Sequence, residues 1–118
     1  MTEALSKVFA ALGDPIRLDM VARLATGDAT VSALAQHYDI SMQAVSKHLK
    51  VLESAGLVSR SRAAQTRPVH LEARVFDLMD KWMERYRVRA EERYRRLDAV
   101  LAEMNDEEKK PRRKGNAS

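Results

Sequence analysis

The sequence predicts a mainly α-helical chain with one small β-hairpin, and three patterns in its 118 residues carry that expectation. Between Val31 and Val58, two short apolar-periodic segments flank a tight polar turn. Between Val58 and Ala73, apolar and polar residues alternate on either side of a basic stretch. From Arg74 to Asn105, apolar residues recur at steps of three and four. The first pattern is a helix-turn-helix and the second a two-stranded wing, so the fold class is a winged helix-turn-helix. The third is a long terminal helix through which two copies are expected to pair.

Taken in order, Thr2 is placed to cap a first helix running to about Leu12, with Leu5, Val8, Phe9 and Leu12 on one face and Gly13 ending it. Asp14-Pro15 supplies an N-cap followed by the residue best suited to the first helical position. A second helix is therefore expected over Ile16 to Ala25, and its largely apolar surface marks it as the buried centre. Gly27-Asp28 closes it, Thr30 caps the third helix, and Ser41 caps the fourth, which Gly56 terminates. Leu34, Ala35, Tyr38, Ile40, Val45, Leu49 and Leu52 fall on the inner faces of the two-helix motif, and Ala35 is small enough to let the helices cross closely. Met42, Gln43, Ser46, Lys47 and Lys50 form an outward stripe of amide, hydroxyl and ammonium groups, a set able to reach base edges and phosphates.

The hairpin is expected over Val58 to about Arg62 and Val69 to Ala73, with Ala63-Ala-Gln-Thr-Arg67 between. Arg60, Arg62 and Arg67, with Gln65 and Thr66, lie on or beside its tip, placed for phosphate or minor-groove contact; a merely solvated basic hairpin is the alternative. Pro68 is tolerable on an edge strand. On the long helix, Phe76, Met79, Met83, Tyr86, Ala90, Tyr94, Leu97, Leu101 and Met104 make a seam too long for one chain of this size to cover. A homodimer is expected, with Leu5, Phe9, Phe76, Met79, Met83, Tyr86, Tyr94, Leu97 and Leu101 at its interface. Glu91–Arg95 and Glu92–Arg96 are favourable i, i+4 pairs that support the helix. The domain is expected to span residues 1–105, and residues 106–118, containing Lys109-Lys-Pro-Arg-Arg-Lys114, read as a disordered basic tail.

Composition narrows the function. The net charge of +4 suits a polyanionic partner, although charge alone argues weakly. The absence of cysteine removes disulfides, thiolate metal sites and thiol switches. No apolar run approaches the roughly 18 residues that span a bilayer, and the start of the chain lacks the pattern of a signal peptide, so a cytoplasmic protein without a membrane partner is expected. His37, His48 and His70 lie in separate elements, while Asp77, Asp80 and Glu84 read as a solvated face, so neither a metal nor another cofactor is expected. With no nucleophile elbow, phosphate-binding glycine loop or paired acids, an enzyme is not expected.

Ala11-Leu-Gly-Asp-Pro-Ile-Arg-Leu18, Ser41-Met-Gln-Ala-Val-Ser-Lys-His-Leu-Lys-Val-Leu-Glu-Ser-Ala-Gly-Leu-Val58 and the hairpin after them resemble the ArsR family of bacterial winged helix-turn-helix repressors. The segment Ala64 to Ala73, followed by Trp82-Met-Glu-Arg-Tyr-Arg87, is similar to a subgroup without metal-sensor motifs. The resemblance implies that Ser41 caps the recognition helix, that Gln43, Ser46 and Lys47 face the major groove, and that the hairpin arginines form the wing. His48 matches the family's histidine, expected more as a half-buried residue bonding locally or touching a phosphate than as a base reader. Met42 meets a thymine methyl or packs on the turn. The chain departs from the family in three places: Asp39 stands where a glycine is common, so a strained left-handed turn is expected there; the wing has no glycine; and Arg89-Ala90 replaces residues often aromatic in the subgroup. The function expected is sequence-specific binding of double-stranded DNA by a dimeric repressor, or autorepressor, of a palindromic operator, with an unidentified small-molecule effector left open. The alternative is a winged-helix protein-interaction module with no sequence-specific DNA binding.

Overall fold

In the computed structural model, residues 2–61 and 67–109 are described. The elements run α1 Thr2–Leu12, α2 Pro15–Leu24, α3 Val31–Ala35, α4 Met42–Ser54, β1 Val58–Arg60, β2 Val69–Leu71 and α5 Ala73–Lys109. The chain divides after Asp80 into two compact units.

In the first unit the helix boundaries follow from local capping. Asp14 accepts from the amides of Ile16 and Arg17 and caps α2, Thr30 Oγ1 accepts from Ala33 N at the start of α3, and Ser41 Oγ accepts from Ala44 N at the start of α4. Each supplies an acceptor to an amide that has no partner within its helix. At the other end of α4 the chain turns through Gly56 at φ 80°. Gly56 N donates to Glu53 O and Leu57 N to Leu52 O, the paired bonds of a Schellman stop, and the left-handed backbone there suits a residue without Cβ. Thr2 already belongs to α1 rather than preceding it as a cap. Asp39 does not have positive φ, so the left-handed turn expected there is absent and the chain rounds the α3–α4 corner without that strain. Arg67, at φ 45°, carries the positive φ instead, in a wing without glycine.

The core gathers Val8 and Ala11 from α1, Met20 and Leu24 from α2, Leu34 from α3, Val45, Leu49 and Leu52 from α4, and Leu57, Val58 and Val69 from the hairpin. The expectation that α2 is the buried centre holds for Met20 and Leu24 but not for its whole apolar surface: Leu18 is 53% exposed, because α1, α4 and β2 cover α2 on one side only. Strands β1 and β2 pair antiparallel, Val58 opposite Leu71 and Arg60 opposite Val69. The far edge of β2 is also occupied, since Ala29 and Val69 exchange two backbone hydrogen bonds of 3.2 and 2.7 Å. The α2–α3 loop thus adds a one-residue third strand that ties the wing to the helix-turn-helix.

The second unit is the part of α5 from Lys81 onward, and α5 continues past Asn105 to Lys109. The expected break at residue 106 is therefore not a helix end; no glycine or proline interrupts Asp106–Lys109. The rest of the expected tail, 110–118, lies outside the described residues. Arg87 bridges Glu84 and Glu91, and Arg95 lies 3.8 Å from Glu91, whereas Glu92 and Arg96 form no ion pair. Along the seam Met83, Tyr86, Tyr94, Leu97, Leu101 and Met104 are all exposed, Tyr94 by 65%. Leu5 and Met79 behave differently from the interface role expected of them. Each is only 8% exposed within one chain, so both serve the core of the single subunit, while Phe9 and Phe76 are half-buried.

Candidate nucleic-acid interface

Helix α4 turns Val45, Leu49 and Leu52 inward, and the 3.6-residue period then sends the residues between them outward. Met42, Gln43, Lys47 and Lys50 are exposed, with Ser46 half-buried at the edge. Together these five line one shallow groove of about 260 Å³, so the stripe expected from spacing is a single surface. Its chemistry is mixed: an amide able to donate and accept, a hydroxyl, two ammonium groups and a thioether. Such a set can read base edges with the first two and attract phosphates with the lysines. Ser41 is consumed in capping, which leaves its role in the interface indirect.

His48 takes its local role. Arg17 Nη1 lies 3.0 Å from His48 Nδ1, and because a guanidinium only donates, Nδ1 is the acceptor and the ring proton sits on Nε2. Asp14 Oδ2 is 3.9 Å from the same Nδ1, too far for a hydrogen bond. Arg17 also donates from Nε to Ala11 O over 2.6 Å. The carboxyl of Asp14 is held below the usual carboxylate range, foremost by the Arg17 amide bonded to it.

The wing departs from expectation at Arg60. Its Nε is buried without a hydrogen-bond partner and lies 3.8 Å from Glu53 Oε1, so the side chain is drawn back against α4 rather than extended from the hairpin. Arg67 is exposed. Arg62, Gln65 and Thr66 lie outside the described residues. Ser59 Oγ donates to Glu72 Oε2 over 2.5 Å, bracing the base of the hairpin. His70 Nδ1 lies 2.8 Å from Asp28 Oδ1, and that bonding raises the imidazole pKa above its ordinary 6.5. Between the motif's turn and α2, Tyr38 donates to Asp19 over 2.6 Å and Arg23 Nε donates to the same carboxylate oxygen over 2.8 Å. Burial first, and then Asp19, push the Tyr38 hydroxyl up to about 12, so it stays a donor and clasps the turn of the motif to α2. Among the described residues, no group of three His, Asp or Glu side chains is placed to hold a metal ion, and no helix is long and apolar enough to cross a membrane.

Residues 12–60 match a family described as a helix-turn-helix domain. Over 79 residues the chain is 33% identical to the transcriptional repressor SdpR of Bacillus subtilis, an alignment covering 67% of this chain and 88% of that protein. The crystal structure of an ArsR family transcriptional regulator superposes with a TM-score of 0.70 at 31% identity, covering 75% of this chain and 97% of the other. The chain belongs to the ArsR family of winged helix-turn-helix transcriptional regulators. A homodimeric winged helix-turn-helix DNA-binding domain from Mycobacterium bovis shares the fold at 26% identity and a TM-score of 0.58, covering 72% of this chain and 82% of that one. The ArsR family consists of transcriptional regulators rather than enzymes, and this member is a DNA-binding transcriptional regulator.

The roles of Arg17, Glu53 and Asp28 in this ArsR protein leave no trace in the spacing of its residues. Arg17 stands within the Leu-Gly-Asp-Pro-Ile-Arg segment, but its partner His48 is 31 residues away, Glu53 lies in the next element from Arg60, and Asp28 is 42 residues from His70. Local periodicity carries no signal for such pairs.

Proposed function

We propose that this ArsR protein is a dimeric repressor that binds an approximately palindromic operator, one α4 entering the major groove of each half-site. In such a complex the two recognition helices sit about 34 Å apart, one helical turn of DNA. The observation that carries the proposal is the groove on α4 that Met42, Gln43, Ser46, Lys47 and Lys50 line together. Gln43 and Ser46 then supply base preference, while Lys47, Lys50 and Arg67 supply phosphate affinity. Repressor activity is supported by the similarity to SdpR, and dimerisation by the exposed apolar seam of α5 and by the homodimeric relative. Repression follows from occupying promoter DNA, including the protein's own.

The test is a fluorescence-anisotropy titration against the DNA upstream of its own gene and a shuffled control at two salt concentrations. A preference of roughly a thousandfold is expected for the upstream DNA. Gln43→Ala should relax preference at one base position, and Lys50→Ala should weaken binding to every sequence and reduce the salt slope by about 1. Equal and steeply salt-dependent binding to both duplexes, unchanged in character by Gln43→Ala, would count against sequence reading and favour a protein-docking role for the domain.

A further inference from the structure

The DNA-facing stripe of α4 is backed by Val45, Leu49 and Leu52, whose burial decides which face of the helix turns inward but whose apolar contacts supply no bond of fixed direction. A directional contact exists on the flank. The half-buried Arg17, in the first turn of α2, donates from Nη1 to His48 Nδ1 over 3.0 Å and from Nε to Ala11 O over 2.6 Å. Its own amide is fixed in turn by Asp14 Oδ2 at 3.1 Å. One planar guanidinium thus joins the last turn of α1, the first turn of α2 and the middle of α4.

We infer that Arg17 is a positioning residue for sequence-specific DNA recognition: acting through His48, it fixes the rotation of α4 about its own axis, and so the base edges that Gln43, Ser46 and Lys47 meet. The inference rests on α4 being the recognition helix. His48 follows Lys47 directly, about 100° further around the helix, so a rotation that breaks the Arg17 bond moves the whole stripe. Recognition groups must be held to about 0.5 Å and 10–20°, and a directional hydrogen bond narrows the rotation that the buried apolar face has already restricted. Lysine at residue 17 would keep the charge but lose the fork that satisfies Ala11 and His48 together. The guanidinium also selects the Nε2–H tautomer of His48, which gives the contact a spectroscopic signature independent of DNA.

The experiment first enriches a duplex from a random pool with the wild-type protein. Affinities for that duplex and a shuffled one are then measured for Arg17→Met, His48→Leu, the double variant and His48→Asn, alongside thermal unfolding. Arg17→Met and His48→Leu are each expected to lose roughly tenfold on the enriched duplex and to stay within about twofold on the shuffled one. The double variant should be no worse than either single change, as for two residues acting through one bond. His48→Asn, whose Oδ1 stands close to where Nδ1 was, should retain most of the preference. In ring ¹⁵N spectra at about pH 8, wild-type His48 should be the Nε2–H tautomer and the Arg17→Met protein a mixture. A role limited to stability would lower the melting temperature while leaving the preference of the folded protein intact, and that result overturns the inference. So does equal loss on both duplexes, which is a charge effect, or additive losses in the double variant. Should Arg17→Met fail to fold, the contrast between His48→Leu and His48→Asn decides. A wild type that enriches no duplex sinks the recognition-helix reading itself and the inference with it, and is recognised before any variant is made.

Discussion

Val45, Leu49 and Leu52 on α4 and Met83, Tyr86, Ala90, Tyr94, Leu97 and Leu101 on α5 follow the same spacing of threes and fours, yet the first set is fully covered and the second stands open. On α4 the buried apolar stripe is narrow, and three neighbouring helices together with β1 supply the cover. On α5 beyond Lys81 the stripe is just as regular, but the single chain leaves Tyr86, Leu97 and Leu101 at least half exposed. The lesson is physical: helical period reports that a face is apolar, while the length of the chain and the number of other elements decide whether it is buried at home or by a second copy.

The largest test of that contrast is to delete a side chain from each face. Leu49→Ala should lower the unfolding free energy by about 2–5 kcal/mol, since it removes buried methyls and leaves a cavity, and urea denaturation reads the loss directly. A change well under 1 kcal/mol would mean that the site collapses freely and that α4 is less firmly seated than its burial implies. On α5, Leu97→Asp with Leu101→Asp should instead spare the fold of the first unit and weaken dimerisation by at least roughly a thousandfold, because a C2 interface loses four leucines worth about 1.5–3 kcal/mol each. Sedimentation equilibrium checks this, and a variant that remains dimeric would place the interface elsewhere.

Smaller changes sharpen the first unit. Ser41→Ala should cost about 1 kcal/mol of stability by orphaning the Ala44 amide, read as a shift in the denaturation midpoint, with Ser41→Asn recovering most of it. The smallest effect expected is the pH dependence of the wing tie. Asp28 raises the pKa of His70 in the folded state above its ordinary 6.5, so the stabilisation is fully present below the unfolded value and is lost as pH rises through the raised folded one. The melting temperature of wild type minus that of His70→Gln should therefore be larger at about pH 5.5 than at about pH 9. Half-exposed partners keep the difference small, and a difference that grows with pH would show that the pair does not hold the wing.

Much of the fold is legible in short windows. Asp14-Pro15, Thr30, Ser41 and Gly56 each act on backbone groups within a few residues, which is why the caps and stops are found where spacing puts them. The five-residue stripe of α4 was legible for the same reason: a regular helix converts sequence separation into angle. Leu18 and Asp39 mark where that logic ends. An apolar residue in a mostly apolar helix is not thereby buried, and a residue in a motif's usual glycine position need not adopt glycine's backbone. Arg60 adds a third case, since a wing arginine is available to a phosphate only if no carboxylate on a neighbouring element draws it back, and Glu53 does.

The amino-acid order by itself determined the helices, the caps that start α2, α3 and α4, the glycine stop of α4, the hairpin, the outward chemistry of α4 and the apolar seam of α5, because each depends on interactions between residues close in the chain. Only the tertiary structure decided that Arg17 meets His48, that Ala29 and Asp28 hold β2 and that Leu5 and Met79 belong to one subunit's core. Those contacts join residues far apart in sequence, and their partners are chosen by how the elements pack.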